Sequence, residues 1–412
     1  MILYFPLRSV FMNITGIITE YNPFHNGHLY HLDSAKRETN CDGIVCIMSG
    51  NFVQRGEPAL IDKWKRAEMA ILNGVDLVLE LPTFYALSSA EFFARGSVYI
   101  LDSINVIKNI FFGSECGDIN LLTKIAKILT DESNELKLEI KENLKKGMTY
   151  AKARELSLIK ILEDDSLKEI LSNSNNILGI EYIKALILLN SSIKPLTLKR
   201  EGAKYNDKEL NSLFSSATSI RESLKNNLSL DNLKNYIPSV SLNMLYTLKD
   251  KNYPFVFEKD MYEYIKYKLI TNCIDFNNLF EIKEGLDNKF LKEIYYSTSY
   301  EDLIFRVKSK RYTYTKISRL MSQIFLSLDR YSFKDLINPD NLYAKVLGFN
   351  DNGRLILKEM KKKSKIPIIT KVSKNINNPL LNLDIQATKA YSILNNKVNP
   401  LNDYLMLPII KS

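Results

Sequence analysis

The residue pattern is that of an α/β protein whose first half builds a parallel sheet and whose second half is mostly helical. Short β-branched runs alternate with helix-like segments as far as about residue 200. The first of these runs ends at a proline and opens directly into a helix-like segment. Beyond about Asn226 the alternation fades, and Leu, Ile, Tyr, Lys and Asn recur at helical spacing. A division into a sheet-based domain over residues 12–225 and a helical, basic domain over residues 226–412 is expected.

Met1 to Phe11 is apolar with one central Arg8 and has no small-residue cleavage site before Met12. It is read as a non-native extension from an upstream start codon rather than a signal peptide. Ile14-Thr15-Gly16-Ile17-Ile18-Thr19 suits a central parallel strand, broken by Asn22-Pro23 before a helix that begins near Asn26. Strand-like Gly43 to Met48, helix-like Asp62 to Leu72, strand-like Leu77 to Leu81, helix-like Ser88 to Leu101 and strand-like Val106 to Phe112 follow. A Lys-, Glu- and Leu-rich stretch from about Asn120 to Leu171 reads as an insertion of amphipathic helices. The sheet then resumes through a helix over Asn176 to Leu188 and a strand over Lys194 to Leu198.

All three histidines, His25, His28 and His31, fall at the first strand-to-helix junction. In an open α/β sheet that junction lies at the carboxyl end of the strand, where helix N–H groups and the helix dipole favour an anion. Gly27 lacks a Cβ, so a phosphate can approach the backbone between His25 and His28, which can both donate to it. A zinc site would need a third ligand, and no Cys or His elsewhere has metal spacing, so no metal site is assigned. For His31 alone, a satisfied core histidine is the plainer reading.

Further along, Ser215-Ser216-Ala217-Thr218-Ser219-Ile220-Arg221 puts hydroxyls at a helix start and an arginine one turn on. An ordinary N-cap accounts for Thr218 or Ser219; a β- or γ-phosphate contact by Ser219 and Arg221 is the functional alternative. Between Arg306 and Arg319 the cations Arg306, Lys308, Lys310, Arg311, Lys316 and Arg319 are interleaved with Tyr312 and Tyr314, a pattern that suits phosphates and unstacked bases. Lys358 to Lys374 is a second basic stretch, read equally well as a solvated face. The formal net charge of +9 favours a polyanionic partner without choosing among RNA, DNA and an acidic membrane. With 412 residues, 45% of them hydrophobic, the chain can bury a large core. Its four cysteines form no paired framework and no segment is long and apolar enough to span a bilayer, so a cytoplasmic protein with reduced thiols and no membrane partner is expected.

The tetrapeptide His25-Asn26-Gly27-His28 resembles the HxGH motif of nucleotidyltransferases. Further matches follow in order: Ser49-Gly50-Asn51-Phe52-Val53-Gln54-Arg55-Gly56-Glu57-Pro58, Asp76 to Pro82, Phe111-Phe112-Gly113-Ser114-Glu115, Asn175-Asn176-Ile177-Leu178-Gly179, Arg200-Glu201-Gly202-Ala203 and Ser216 to Arg221. Together they are similar to one family, the tRNA(Met) cytidine acetate ligases, over nearly the whole chain. The chain departs from the family pattern at Ser174, where a proline is usual. Ala217 departs from the wider superfamily's Ser-Ser-Thr-x-x-Arg element and matches the acetate-ligase form.

The resemblance implies a Rossmann-like nucleotidyltransferase domain that activates acetate with ATP, as acetyl-adenylate, for transfer to the wobble cytidine of elongator tRNA(Met), giving N4-acetylcytidine. It implies that ATP is held by Ile18, Thr19, Glu20, Tyr21, Asn22, Pro23, Phe24, His25, Asn26, Gly27, His28, Leu29, Tyr30 and His31, completed by Gly113, Asn175 and Arg200. His25 and His28 would stabilise charge at the α-phosphate, and Mg2+ would accompany the phosphates. The basic second half would hold the tRNA through Arg306, Lys308, Lys310, Arg311, Tyr312, Tyr314, Lys316 and Arg319. Two rivals share some of these features. A cofactor adenylyltransferase acting on a small phosphorylated acceptor leaves the basic half without a task, and an inactive RNA-binding protein leaves the histidine cluster unexplained.

Overall fold

Strand β1 (Ile14–Thr19) lies inside the sheet, with strands on both sides; it is rich in β-branched residues and its first four residues are buried, as suits a strand covered on both faces. Around it the computed structural model describes residues 12–165, 167–200, 216–282, 285–309, 312–373 and 375–411, with the backbone only of Ala151. The expected extension over residues 1–11 therefore lies outside the described residues, as do Lys310 and Arg311.

Strand β2 (Gly43–Ser49) pairs in parallel with β1, Ile14 facing Gly43 and Thr19 facing Met48, and every residue of β2 is buried. A short antiparallel hairpin, β3 (Phe52–Val53) with β4 (Glu57–Pro58), stands apart from the sheet. Strand β5 (Leu77–Leu81) continues beyond β2, while β6 (Ile107–Ser114) and β7 (Lys194–Lys199) extend the sheet on the other side of β1, all in parallel. The chain thus winds from β1 through β2 to β5, then crosses back to fill β6 and β7. β1 is where the winding reverses, and the crevice outside the carboxyl ends at such a reversal is where open α/β sheets take ligands.

Between β6 and β7 the chain runs through the helices Ile119–Thr130, Asn134–Lys145, Tyr150–Leu162 and Leu167–Ser172. Asp118, Ser133 and Thr149 cap the first three of these helices by accepting backbone N–H groups. Leu122, Ile125, Ala126 and Leu129 recur at helical spacing and bury the first helix against the Ser174–Leu188 helix.

The second half is mostly helical, as read, yet it also supplies sheet. Strand β8 (Ala344–Phe349) pairs antiparallel with β5, and the two-residue strands β9 (Ile368–Ile369) and β10 (Ile409–Ile410) pair in parallel with the far side of β8. The order across the sheet is β10-β8-β5-β2-β1-β6-β7. The run Ala344-Lys345-Val346-Leu347-Gly348-Phe349 is too short for its period to separate strand from buried helix, and its partner β5 is remote in sequence, so the boundary near residue 226 is not a break in the core. Among the described residues no helix is long and apolar enough to cross a membrane.

Candidate active site

At the carboxyl ends of β1, β6 and β7 opens a cleft of about 1320 Å³, mouth included. His25 is the N-cap of the Asn26–Thr39 helix: its Nδ1 accepts the Gly27 N–H at 3.1 Å, and His28 Nδ1 accepts the His25 N–H at 3.3 Å, a reciprocal capping box built from two imidazoles. An Nδ1 that accepts leaves the hydrogen of the neutral ring on Nε2. The two rings stack with centroids 3.7 Å apart, and His28 meets Tyr21 edge-on at 4.9 Å. A Cβ on Gly27 would lie 3.0 Å from the His25 ring, so a side chain there would press on the stack.

Burial, then the Arg200 guanidinium, pushes His25 down to about 3 and His31 down to about 4. His28 is held well below the usual histidine range by burial first, then by His25, Arg200 and His31. All three rings are therefore neutral near pH 7, and they offer hydrogen bonds rather than charge. His31, read as a plain core histidine, instead faces the cleft, with a buried Nε2 that has no hydrogen-bond partner among the described residues.

Of the expected nucleotide residues, Ile18, Thr19, Glu20, Tyr21, Asn22, His25, Gly27, His28, Tyr30, His31, Gly113, Asn175 and Arg200 line the cleft. Pro23, Phe24, Asn26 and Leu29 do not. Phe24 packs beneath Tyr21, and Asn26 turns away, its side chain and backbone N–H donating to the carbonyls of Asn235 and Tyr236. Both the side-chain amide and the backbone N–H of Asn175 donate to Glu115 Oε1, at 2.7 and 3.2 Å, so Glu115 orients Asn175.

Ser219 and Arg221 also lie behind the cleft wall. Ser219 is fully buried and its hydroxyl donates to the Ser216 carbonyl; Arg221 is bound to Glu57 at 3.0 Å and reaches Glu258 and Asn22. In their place Ser216, Ala217 and Thr218, at the start of the Ala217–Lys225 helix, face the cavity. Two helix N-termini thus face one space; the Asn26 and Gly27 N–H groups of the first are taken by the Tyr236 carbonyl and His25 Nδ1, whereas the second brings the Ala217 and Thr218 N–H groups, which no helix carbonyl satisfies.

Sequence reasoning did not single out Gln54 and Arg55, from the β3–β4 turn, or the apolar wall of Phe93, Phe112, Leu178, Tyr182 and Leu198. Gln54 and Arg55 stand inside the quoted Ser49 to Pro58 stretch, which was the available signal. Phe112 and Leu178 likewise stand inside quoted stretches, whereas Phe93, Tyr182 and Leu198 are scattered over β7 and two helices with no motif to announce them. Chemically, the arrangement offers neutral imidazole donors, the N-terminus of the Ala217–Lys225 helix and two arginines for phosphate, beside an apolar face for a base. Among the described residues no group of three or more His, Cys, Asp or Glu side chains is placed to hold a metal ion.

None of the described residues of the basic segment lines this cleft. Arg306 Nε donates to both oxygens of Asp302 at 3.0 Å, and Arg319, largely buried, pairs with Glu281 at 3.5 Å. Lys308 and Tyr314 are exposed, and Lys316 Nζ sits 5.0 Å above the half-buried Tyr312 ring. An interior role thus replaces the expected surface role for Arg319, and the Arg306 charge is already countered.

The family model described as HIGH Nucleotidyl Transferase matches residues 12–403. A tRNA(Met) cytidine acetate ligase of Clostridium novyi is 52% identical over 97% of this chain and 99% of its own length, and one of Clostridium tetani is 49% identical over 97% and 100%. Among solved structures, Thermotoga maritima TmcAL in its apo form superposes with a TM-score of 0.90 at 34% identity, covering 97% of this chain and 99% of that one. The same protein bound with alpha-thio ATP gives 0.87 at 33%, with the same coverage.

Proposed function

The chain belongs to the tRNA(Met) cytidine acetate ligases, and from that premise we propose that it activates acetate with ATP and acetylates N4 of the wobble cytidine in elongator tRNA(Met). The observation that carries the reading is the stacked, neutral pair His25 and His28 at a helix N-terminus, facing Arg200 across the reversal point of the sheet.

Acetate is a poor acyl donor because oxide is a bad leaving group, so its oxygen must first attack the α-phosphorus of ATP, expelling pyrophosphate. Ring N–H groups on His25 and His28 would donate to the α-phosphate oxygens as charge redistributes there. Ala217 and Thr218, at the second helix N-terminus, together with Arg200, would receive the departing pyrophosphate. Phe112, Leu178, Tyr182 and Leu198 offer the adenine an apolar face. Mg2+ would enter with the triphosphate, carried by its oxygens and water. The wobble cytidine, already single-stranded in the anticodon loop, would then be extruded into the cleft at a cost of a few kcal/mol. Lys308, Tyr312, Tyr314 and Lys316 are the described members of the basic segment that remain suited to RNA.

The test is incubation with carboxyl-labelled acetate, ATP, Mg2+ and unmodified elongator tRNA(Met), beside a chain carrying His25→Asn and His28→Asn. Label is expected in the tRNA, dependent on ATP, and reduced at least about 100-fold by the substitutions. Folded, ATP-binding protein that transfers no label would refute the assignment and point to another acceptor.

A further inference from the structure

Acyl transfer to an exocyclic amine leaves a surplus proton, and the cleft restricts where it can go. The three histidines are desolvated and sit beside Arg200, which makes them weak proton acceptors. Among the described residues that line the cleft, Glu20 alone carries a carboxyl group, and no Lys or Cys lines it.

Glu20 follows β1 directly and is fixed at two points. Its backbone carbonyl accepts Nη1 of the fully buried Arg66 at 2.6 Å, and its Oε1 accepts the Gln54 N–H, from the β3–β4 turn, at 2.7 Å. Oε2 accepts no hydrogen bond from a described residue. One oxygen is thus anchored and the other is left to the cleft, an arrangement that suits a group required to take a proton at a defined place. Burial lifts the Glu20 carboxyl above its ordinary value, opposed by the Gln54 N–H, Arg55 and Arg66 and reinforced by Glu57; these are the charged groups that face it from the hairpin and from the Lys63–Leu72 helix. The result is a stronger base than a free carboxylate.

Building on the acetate-ligase reading above, we propose that Glu20 is the proton acceptor of the acyl-transfer step. The cytosine N4 attacks the acetyl carbonyl, the N–C bond forms, and the bond from that carbon to the phosphate oxygen breaks. AMP leaves with the electron pair, and one amine proton passes to Oε2 of Glu20, to be returned to water once the acetylated tRNA departs.

Glu20→Gln tests this, because an amide oxygen still accepts the Gln54 N–H while the side chain no longer takes a proton. Two rates are read with tRNA present: acetate-dependent exchange of labelled pyrophosphate into ATP, which reports activation, and label transfer to tRNA. The ratio of transfer to exchange is expected to fall by about 100-fold or more, and Glu20→Asp to recover part of it. Transfer by the unsubstituted chain should rise with pH and level off as Glu20 ionises, and the rise should vanish in E20Q. A merely structural Glu20 would depress both rates together and leave the pH profile in place, and either that result or an unchanged ratio would overturn the proposal. Failure of the acetate-ligase reading is told apart because the unsubstituted chain would itself transfer no label.

Discussion

His25 performs two tasks with one ring, terminating its own helix through Nδ1 and leaving Nε2 for a ligand. The burial that makes this possible has a thermodynamic consequence. In the unfolded chain each histidine titrates near its ordinary value of 6.5, whereas folded His25 does so only at about 3 and His31 at about 4. Between these limits the unfolded chain binds more protons, so stability falls as pH drops below about 6.5 and is unaffected above about 7. From pH 7 to 5 one such histidine costs about 2 kcal/mol. Asp384 works in the opposite direction, because burial and Glu80 raise its carboxyl, so the informative quantity is a difference between two chains. Denaturant midpoints at pH 7 and pH 5 should show a smaller acid loss for the His25→Asn, His28→Asn variant than for the unsubstituted chain; equal losses would mean that the folded rings protonate freely. At this scale the sequence was most legible where function is local: His25, Gly27 and His28 sit in one turn. It was least legible where helix phase decides, since Ser216 to Thr218 face the cleft and Ser219 and Arg221 turn behind it.

The β3–β4 hairpin is the element that ties the helical half to the cleft. Gly56 at its turn has φ +79°, and an added Cβ would fall 2.2 Å from the backbone nitrogen of Arg319 in the Tyr314–Phe325 helix. The Gly56 carbonyl accepts the hydroxyls of Ser318 at 2.9 Å and Ser322 at 2.8 Å, so the turn is docked by polar contacts as well as by shape. The same turn presents Gln54, which holds Glu20, and Arg55, which lines the cleft. Gly56→Ala should therefore destabilise the fold by at least about 2 kcal/mol and lower acetyl transfer with it. Gly285→Ala is the matched control, since Gly285 has φ +76° but nothing within 4 Å of the added Cβ. Thermal unfolding and label transfer measured on both would sink the docking argument if the two substitutions behaved alike. The parallel strands and their helices were readable because apolar period and turn residues are local signals. The hairpin was not, because two-residue strands carry almost no pattern and its shape is set by a helix remote in sequence.

Across the whole molecule, four buried charges join the two halves of the chain. Lys63 Nζ lies 2.7 Å from Glu80 and 2.9 Å from Asp403, and Lys345 lies 2.9 Å from Glu80 and also pairs with Asp403. Two of these residues come from the first half and two from the second, and all are nearly inaccessible to solvent. Removing one partner from such a set costs about 3–5 kcal/mol because the remaining charge stays buried. The same seam places β8 against β5, the Asp384 carboxylate against the Thr83 N–H at 2.6 Å, and the Tyr391 hydroxyl on the Ala59 carbonyl at 2.8 Å. A fragment of residues 12–225 would therefore expose the apolar edge of β5 and remove Lys345 and Asp403, leaving Lys63 and Glu80 paired only with each other, although it retains every described residue that lines the cleft. We expect that fragment to aggregate and to bind no ATP, and the full chain to lose secondary structure and ATP binding in one coincident denaturant transition. Circular dichroism and nucleotide binding followed in parallel provide the check. A soluble fragment that unfolds cooperatively and binds ATP would show instead that the second half is an appended domain, and that the buried charges align two units already able to fold alone.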